Sequence, residues 1–110
     1  IDGGSINKQM IVFSRLMKNK RLPKAVWQRQ RKRVWSRDNY KCTRCGRLLT
    51  LNKAHIDHII PLSKGGKSNM KNLRTLCIVC HATRRDPSHF YLWNSCVKRK
   101  ILKGDEPLWD

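Results

Sequence analysis

A chain of 110 residues that is 39% hydrophobic can build one modest domain, and it is too short to bury a large single core. Its 25 Lys and Arg against 7 Asp and Glu leave a formal charge of +18, which directs attention to a polyanionic partner, with nucleic acid first and a basic ribosome-associated role as the bland rival. No run of 18 apolar residues occurs, so no membrane span is read, and an intracellular, cytoplasmic setting is expected, where paired cysteines usually hold metal.

Ile1-Asp2-Gly3-Gly4-Ser5 reads as a short linker and lacks the apolar region of a signal peptide. Residues 6–40 form a basic N-terminal region with the pattern helix, break, helix. Met10, Phe13 and Met17 recur at helical spacing, and Ile11 and Leu16 widen the stripe. Pro23 disfavours helix at Leu22 but suits the first turn of a second helix running to Arg37. Val26, Trp27, Val34 and Trp35 lie on one side of it. Arg29, Arg31, Lys32 and Arg33 surround the rest, readable as a solvated face or as phosphate contacts.

Residues 41–85 hold the chemistry. Cys42-Thr43-Arg44-Cys45-Gly46 reads as a zinc knuckle, with Gly46 free to take the left-handed conformation that turns both sulfurs toward one ion. A short apolar segment follows at Leu48 to Leu51. His55 to Ile60 reads as a strand stopped by Pro61, Lys64 to Asn69 as a loop, and Leu73 to Leu76 as a second strand. A helix is expected from near Cys77 through His81 to Arg85. The pairs Cys42/Cys45 and Cys77/Cys80 are separated by 31 residues, enough for the strand, loop and strand between them, so one tetrahedral zinc would join the two ends of that unit.

Residues 86–110 read as a C-terminal helix and tail. Asp86 caps, Pro87 suits the first turn, and Phe90, Trp93, Val97 and Ile101 repeat at helical spacing until Gly104. The tail can fold back through Trp109. Cys96, alone on the apolar side, is expected to pack in the core.

Inside the cysteine clamp lies a polar set suited to phosphodiester hydrolysis, a reaction that needs a base for water and charge to offset what builds on phosphate. A neutral imidazole serves the first need at physiological pH. A divalent ion held by carboxylate and imidazole serves the second. On a strand Asp57 and His58 point to opposite sides, so a strand end or bend must bring both to one site.

The run from His55 through Asp57, His58, Pro61, Gly65 and Gly66, followed by Asn72 and the Cys77-Ile78-Val79-Cys80-His81 segment, resembles the HNH endonuclease family in its four-cysteine form, over about Val34 to Arg85. That resemblance implies an α+β fold with a ββα-metal core, also called a His-Me finger, stapled by zinc and flanked by N- and C-terminal helices. It implies His58 as general base, Asp57 and His81 as ligands of a catalytic divalent ion, usually Mg²⁺ with Mn²⁺ or similar as alternatives, and Asn72 as a brace of the loop. Products with a 5′-phosphate and 3′-hydroxyl are expected.

Each role has a rival. Asp57 could orient a histidine, His81 could complete the zinc site, and Asn72 could be a turn residue with Asn69 as competitor. His55 is expected to support or pack, and His89 to lie on the surface. Lys64, Lys67, Arg74, Arg84 and Arg85, with Arg29 and Arg33 of the second helix, are expected to hold backbone phosphates. Trp27, Trp35, Tyr40 and Trp93 could stack on bases, although core packing is the commoner use. The expected activity is metal-dependent nicking or cleavage of double-stranded DNA, with RNA as an open alternative substrate and a larger phage or nuclease complex as an open partner. The rival reading is a zinc-knuckle nucleic-acid-binding module without turnover.

Overall fold

The computed structural model describes residues 22–110; the linker, the expected first helix with Met10, Phe13 and Met17, and Arg21 lie outside the described residues. Helix α1 (Lys24–Arg37) follows Pro23, whose missing N–H costs nothing at a helix start. Strands β1 (His55–His58) and β2 (Leu73–Leu76) pair antiparallel, with His55 opposite Leu76, Ile56 opposite Thr75, Asp57 opposite Arg74 and His58 opposite Leu73. Helices α2 (Ile78–Thr83) and α3 (Phe90–Lys98) complete the order. The result is a small α+β unit with the hairpin-and-helix order of a ββα core.

Strand alternation divides the hairpin between two partners. Ile56 and Leu73 face α1 and bury with Val34 against Trp27 and Met70. Leu76 lies on the other face, packed with Cys42, Cys77, Cys80, Leu49, Val79 and Trp109. A third cluster, Ala82, Cys96 and Leu102, joins α2 to α3, so Cys96 packs in the core as expected. Hydrogen bonds tie α1 down as well: Arg31 donates to the Leu51 and Ala54 carbonyls, and Arg37 to those of Met70 and Leu73.

Several element ends differ from expectation: α2 stops at Thr83, short of Arg85, and α3 begins at Phe90 after a 3₁₀ turn over Pro87–His89. β1 stops at His58, because Ile59 N–H bonds the Asn72 carbonyl and Ile60 is taken up by the Asn72 side chain, which bends the chain before Pro61. The last helix ends at Lys98 instead of Gly104. Lys100 adopts φ 60° and the Ile101 and Leu102 amides return to the Cys96 carbonyl, which swings Ile101 off the helix and seats Leu102 in the core. The tail does fold back, with Trp109 Nε1 donating to the Cys80 carbonyl at 2.7 Å and Arg85 N–H to the Trp109 carbonyl.

Candidate active site

Two ligand clusters flank α2. In the first, the sulfurs of Cys42, Cys45, Cys77 and Cys80 lie within 4.8 Å of one another. Cys45 Sγ and Cys77 Sγ are 3.8 Å apart, and a tetrahedral ion with bonds of about 2.3 Å requires an edge of about 3.8 Å. Each Cys-x-x-Cys turn points its fourth N–H at its first sulfur, Cys45 N to Cys42 and Cys80 N to Cys77, both at 3.4 Å. Gly46 supplies the expected left-handed residue at φ 80°. Burial acts to raise the Cys42 thiol, but backbone N–H donors from Cys45, Cys77 and Arg44 outweigh it and bring its pKa to about 7. Cys80 is pushed up to about 12 by burial; a cation among the sulfurs would reverse that. The donor set therefore fits a structural zinc, and His81 stays out of it.

The second cluster centres on Asp57, 1% exposed. Its Oδ2 accepts from Arg74 Nε at 2.8 Å, the residue directly across the sheet, and Arg84 Nη1 bridges Oδ1 and Oδ2 at 3.0 Å each. Oδ1 also faces His81 Nε2 at 3.7 Å and His89 Nε2 at 3.8 Å. These separations exceed hydrogen-bond reach. They match neighbouring ligands of an ion with bonds of about 2.1 Å, whose ligand atoms lie about 3–4 Å apart. The residues thus fit a bound divalent cation. On its far side, His81 Nδ1 meets His55 Nδ1 at 3.0 Å, so His55 is a support for His81. Burial, then the neighbouring charges of His89 and His55, hold the His81 pKa down to about 3, which keeps the ring neutral and its lone pair available.

His58 sits at the end of β1 on the α1 face, opposite to Asp57. Its ring stacks on Trp27, with centroids 5.7 Å apart and planes 9° from parallel, and its Nε2 lies 2.8 Å from Ser68 Oγ. Both faces open where the hairpin ends. A cleft of about 840 Å³ takes in His58, Asp57, His81 and His89 together, with Trp27 and Ser68 in its wall. The strand-end condition is met.

Asn72 occupies the turn between loop and β2. Its Oδ1 accepts from Ile60 N at 2.8 Å, and its Nδ2 donates to the carbonyls of Ile60 at 3.0 Å and Lys67 at 2.8 Å. Asn69 serves it in turn, accepting from Asn72 N. Gly66 has no room for a side chain: a Cβ there would meet the Ile60 carbonyl oxygen at 1.8 Å.

Several sequence expectations change. Arg84 was placed among phosphate-holding cations, yet it is 5% exposed and spends its donors on Asp57 and on the carbonyls of His58 and Ile59. It organises the end of β1. Arg74 is likewise turned inward, onto Asp57 and over the Trp109 ring. Arg29, Arg33, Lys64, Lys67 and Arg85 remain exposed. His89 is not a surface residue, since its side chain is only 15% exposed and points at Asp57. Trp35 and Trp93 are half-buried, Trp93 against the Cys96 cluster and Trp35 through a bond to the Leu49 carbonyl and an edge contact with Tyr40. No spacing signal marks His89, Ser68 or Trp27: His89 and Trp27 reach the cleft from elements outside the contiguous motif, and Ser68 stands in its loop at a position where only the fold brings it to His58.

No described helix is long and apolar enough to cross a membrane. No solved structure matches the chain. A stretch of 54 residues is 35% identical to Anaredoxin of Nostoc sp. (strain PCC 7120), covering 49% of this chain and 68% of that protein. The HNH endonuclease family model matches residues 42–86, from the first knuckle cysteine to the residue after Arg85, and so takes in both cysteine pairs, the hairpin and α2. With that match laid over a ββα hairpin and a four-cysteine cluster, the chain belongs to the HNH endonuclease family.

Proposed function

We propose that the chain is a metal-dependent endonuclease that hydrolyses phosphodiester bonds of double-stranded DNA. The observation that carries this reading is the convergence of His58 with Asp57 and His81 on one cleft from opposite faces of the hairpin. A fold built only to bind would not need a buried carboxylate, a neutral imidazole and a second, separately held imidazole around a single opening.

His58 acts as the base. Its imidazole, held with Nε2 2.8 Å from Ser68 Oγ, takes the proton of the attacking water. Stacking on Trp27 fixes the plane of the ring, and Asn72 fixes the loop that carries Ser68. Asp57 and His81 hold the divalent ion, Mg²⁺ or Mn²⁺; when bound it offsets charge on the scissile phosphate and on the leaving oxygen. Water oxygen bonds to phosphorus and the bond to the 3′ oxygen breaks, leaving a 5′-phosphate and a 3′-hydroxyl. A separate zinc on the four cysteines keeps α2, and with it His81, in place. The exposed Arg29, Arg33, Lys64, Lys67 and Arg85 position the duplex through its phosphates without reading sequence.

The test is a nicking assay on supercoiled plasmid, with end analysis of the product. Conversion to open circles that requires added Mg²⁺ or Mn²⁺ and leaves ends ligatable without kinase treatment is expected. Binding with no nicking under any divalent ion would contradict the reading and favour the non-catalytic module.

A further inference from the structure

We infer that His89 is a third protein ligand of the catalytic ion and that it tilts the site from Mg²⁺ toward Mn²⁺. The inference rests on the reading of Asp57 and His81 given above. His89 lies beyond residue 86, where the family match ends, so nothing in the motif assigns it a role. The fold nevertheless aims it. Asp86 accepts bonds from the Ser88 amide and hydroxyl, Pro87 starts a short 3₁₀ turn over Pro87–His89, and the turn delivers the imidazole into the cleft.

Asp57 Oδ1, His81 and His89 each offer one ligand atom, all within 4.8 Å of one another. The two rings meet edge to face, centroids 4.5 Å apart, so neither blocks the other's nitrogen. With all three ligands offered from the protein side, an ion there would keep its cleft side open to water and phosphate oxygens. The chemistry of the set also bears on the ion. Mg²⁺ favours oxygen ligands, whereas imidazole binds Mn²⁺ and the later first-row ions more readily. A second imidazole therefore adds more affinity for Mn²⁺ than for Mg²⁺. The two histidines are not equal: His81 is anchored through His55, while His89 Nδ1 is buried without a hydrogen-bond partner among the described residues. His89 should be the weaker of the two ligands.

The experiment uses zinc-loaded protein titrated with Mn²⁺ and followed by electron paramagnetic resonance and water-proton relaxation, with Mg²⁺ as competitor. His89→Ala should raise the Mn²⁺ dissociation constant by roughly 10-fold or more. It should also increase relaxation per bound Mn²⁺, as one more water enters, and lower the Mn²⁺ over Mg²⁺ preference; His81→Ala should have the larger effect. Unchanged Mn²⁺ affinity and relaxation in His89→Ala, with binding lost in His81→Ala, would overturn the inference and leave the proposed function standing. Mn²⁺ binding that survives His81→Ala as well would overturn the metal assignment itself. In the unaltered protein, electron spin-echo modulation of bound Mn²⁺ should show two directly coordinated imidazole nitrogens. A single coordinated nitrogen would contradict the inference whether or not the variant folds.

Discussion

Cys77 and Cys80 open and line one side of α2, and His81, the next residue, starts the wall of the other; the two clusters they serve are built differently. The cysteine cluster turns four sulfurs on one another, with Cys42, Cys77 and Cys80 buried and backbone N–H groups aimed at the sulfurs. Every position of a tetrahedral ion is used, which suits a staple. The Asp57 cluster spends one side on protein, with Arg74, Arg84 and His55 behind the ligands, and opens the other onto the cleft. The difference teaches how a small chain separates stability from chemistry. A closed set of four sulfurs fits the task of holding the fold, and the second cluster, open on one side, would leave room for water and phosphate.

Breaking the staple should have the largest effect, because both clusters depend on it. Cys80→Ser should reduce zinc from about one per chain to near zero and unfold the hairpin and α2, measured by metal analysis and circular dichroism. A folded, zinc-free variant would mean the cysteines pack merely as small hydrophobes. Next comes Asp57→Ala, which leaves the buried Arg84 without its carboxylate and should cost roughly 3–5 kcal/mol in denaturant unfolding while zinc content holds. Zinc loss in that variant would show that the two clusters are not separable.

Asn72→Ala should cost less, about 1–3 kcal/mol, since it removes three side-chain hydrogen bonds whose backbone partners belong to the exposed residues Ile60 and Lys67. Its effect on nicking should be larger than its effect on stability, because the braced loop carries Ser68 to His58; equal loss of both would make it only structural. The smallest effect is the pH dependence. Burial first, and then neighbouring charge, holds His81 at about 3 against an ordinary 6.5. The unfolded chain therefore binds that proton first, and stability is full above about pH 6.5 and declines as pH falls toward 3. Between pH 7.5 and 5.5 the zinc-loaded protein should lose about 1 kcal/mol through this group. His81→Gln should flatten that slope, and an unchanged slope would place the dependence elsewhere.

The cysteine cluster was legible because its signal is local. Two-residue spacers set the bite of each turn, with Gly46 completing the first, and only the pairing of the two turns had to come from the fold. β2 was legible at Leu73 to Leu76 because both flanks are marked, by the Lys64–Asn69 loop before it and the Cys77 knuckle after it. The active cleft was legible only in part. Asp57, His58, Asn72 and His81 stand in a recognisable order, but Arg84 reaches back to Asp57 across 27 positions and His89 arrives from a turn beyond the motif, where it was expected on the surface. Charge alone marked Arg84 for phosphate, and burial reversed that. Helical spacing suggested Ile101 on the last helix, whereas the left-handed Lys100 ends the helix and gives its place in the core to Leu102.

The central claim is that the open cleft, and not the staple or the basic surface, performs the reaction through His58. Its most direct measurement is the rate of plasmid nicking by His58→Ala at saturating Mn²⁺, beside its zinc content and its affinity for the same plasmid. A rate lower by roughly 10²- to 10⁴-fold, with zinc and affinity unchanged, is the predicted result. Nicking at the wild-type rate would contradict it.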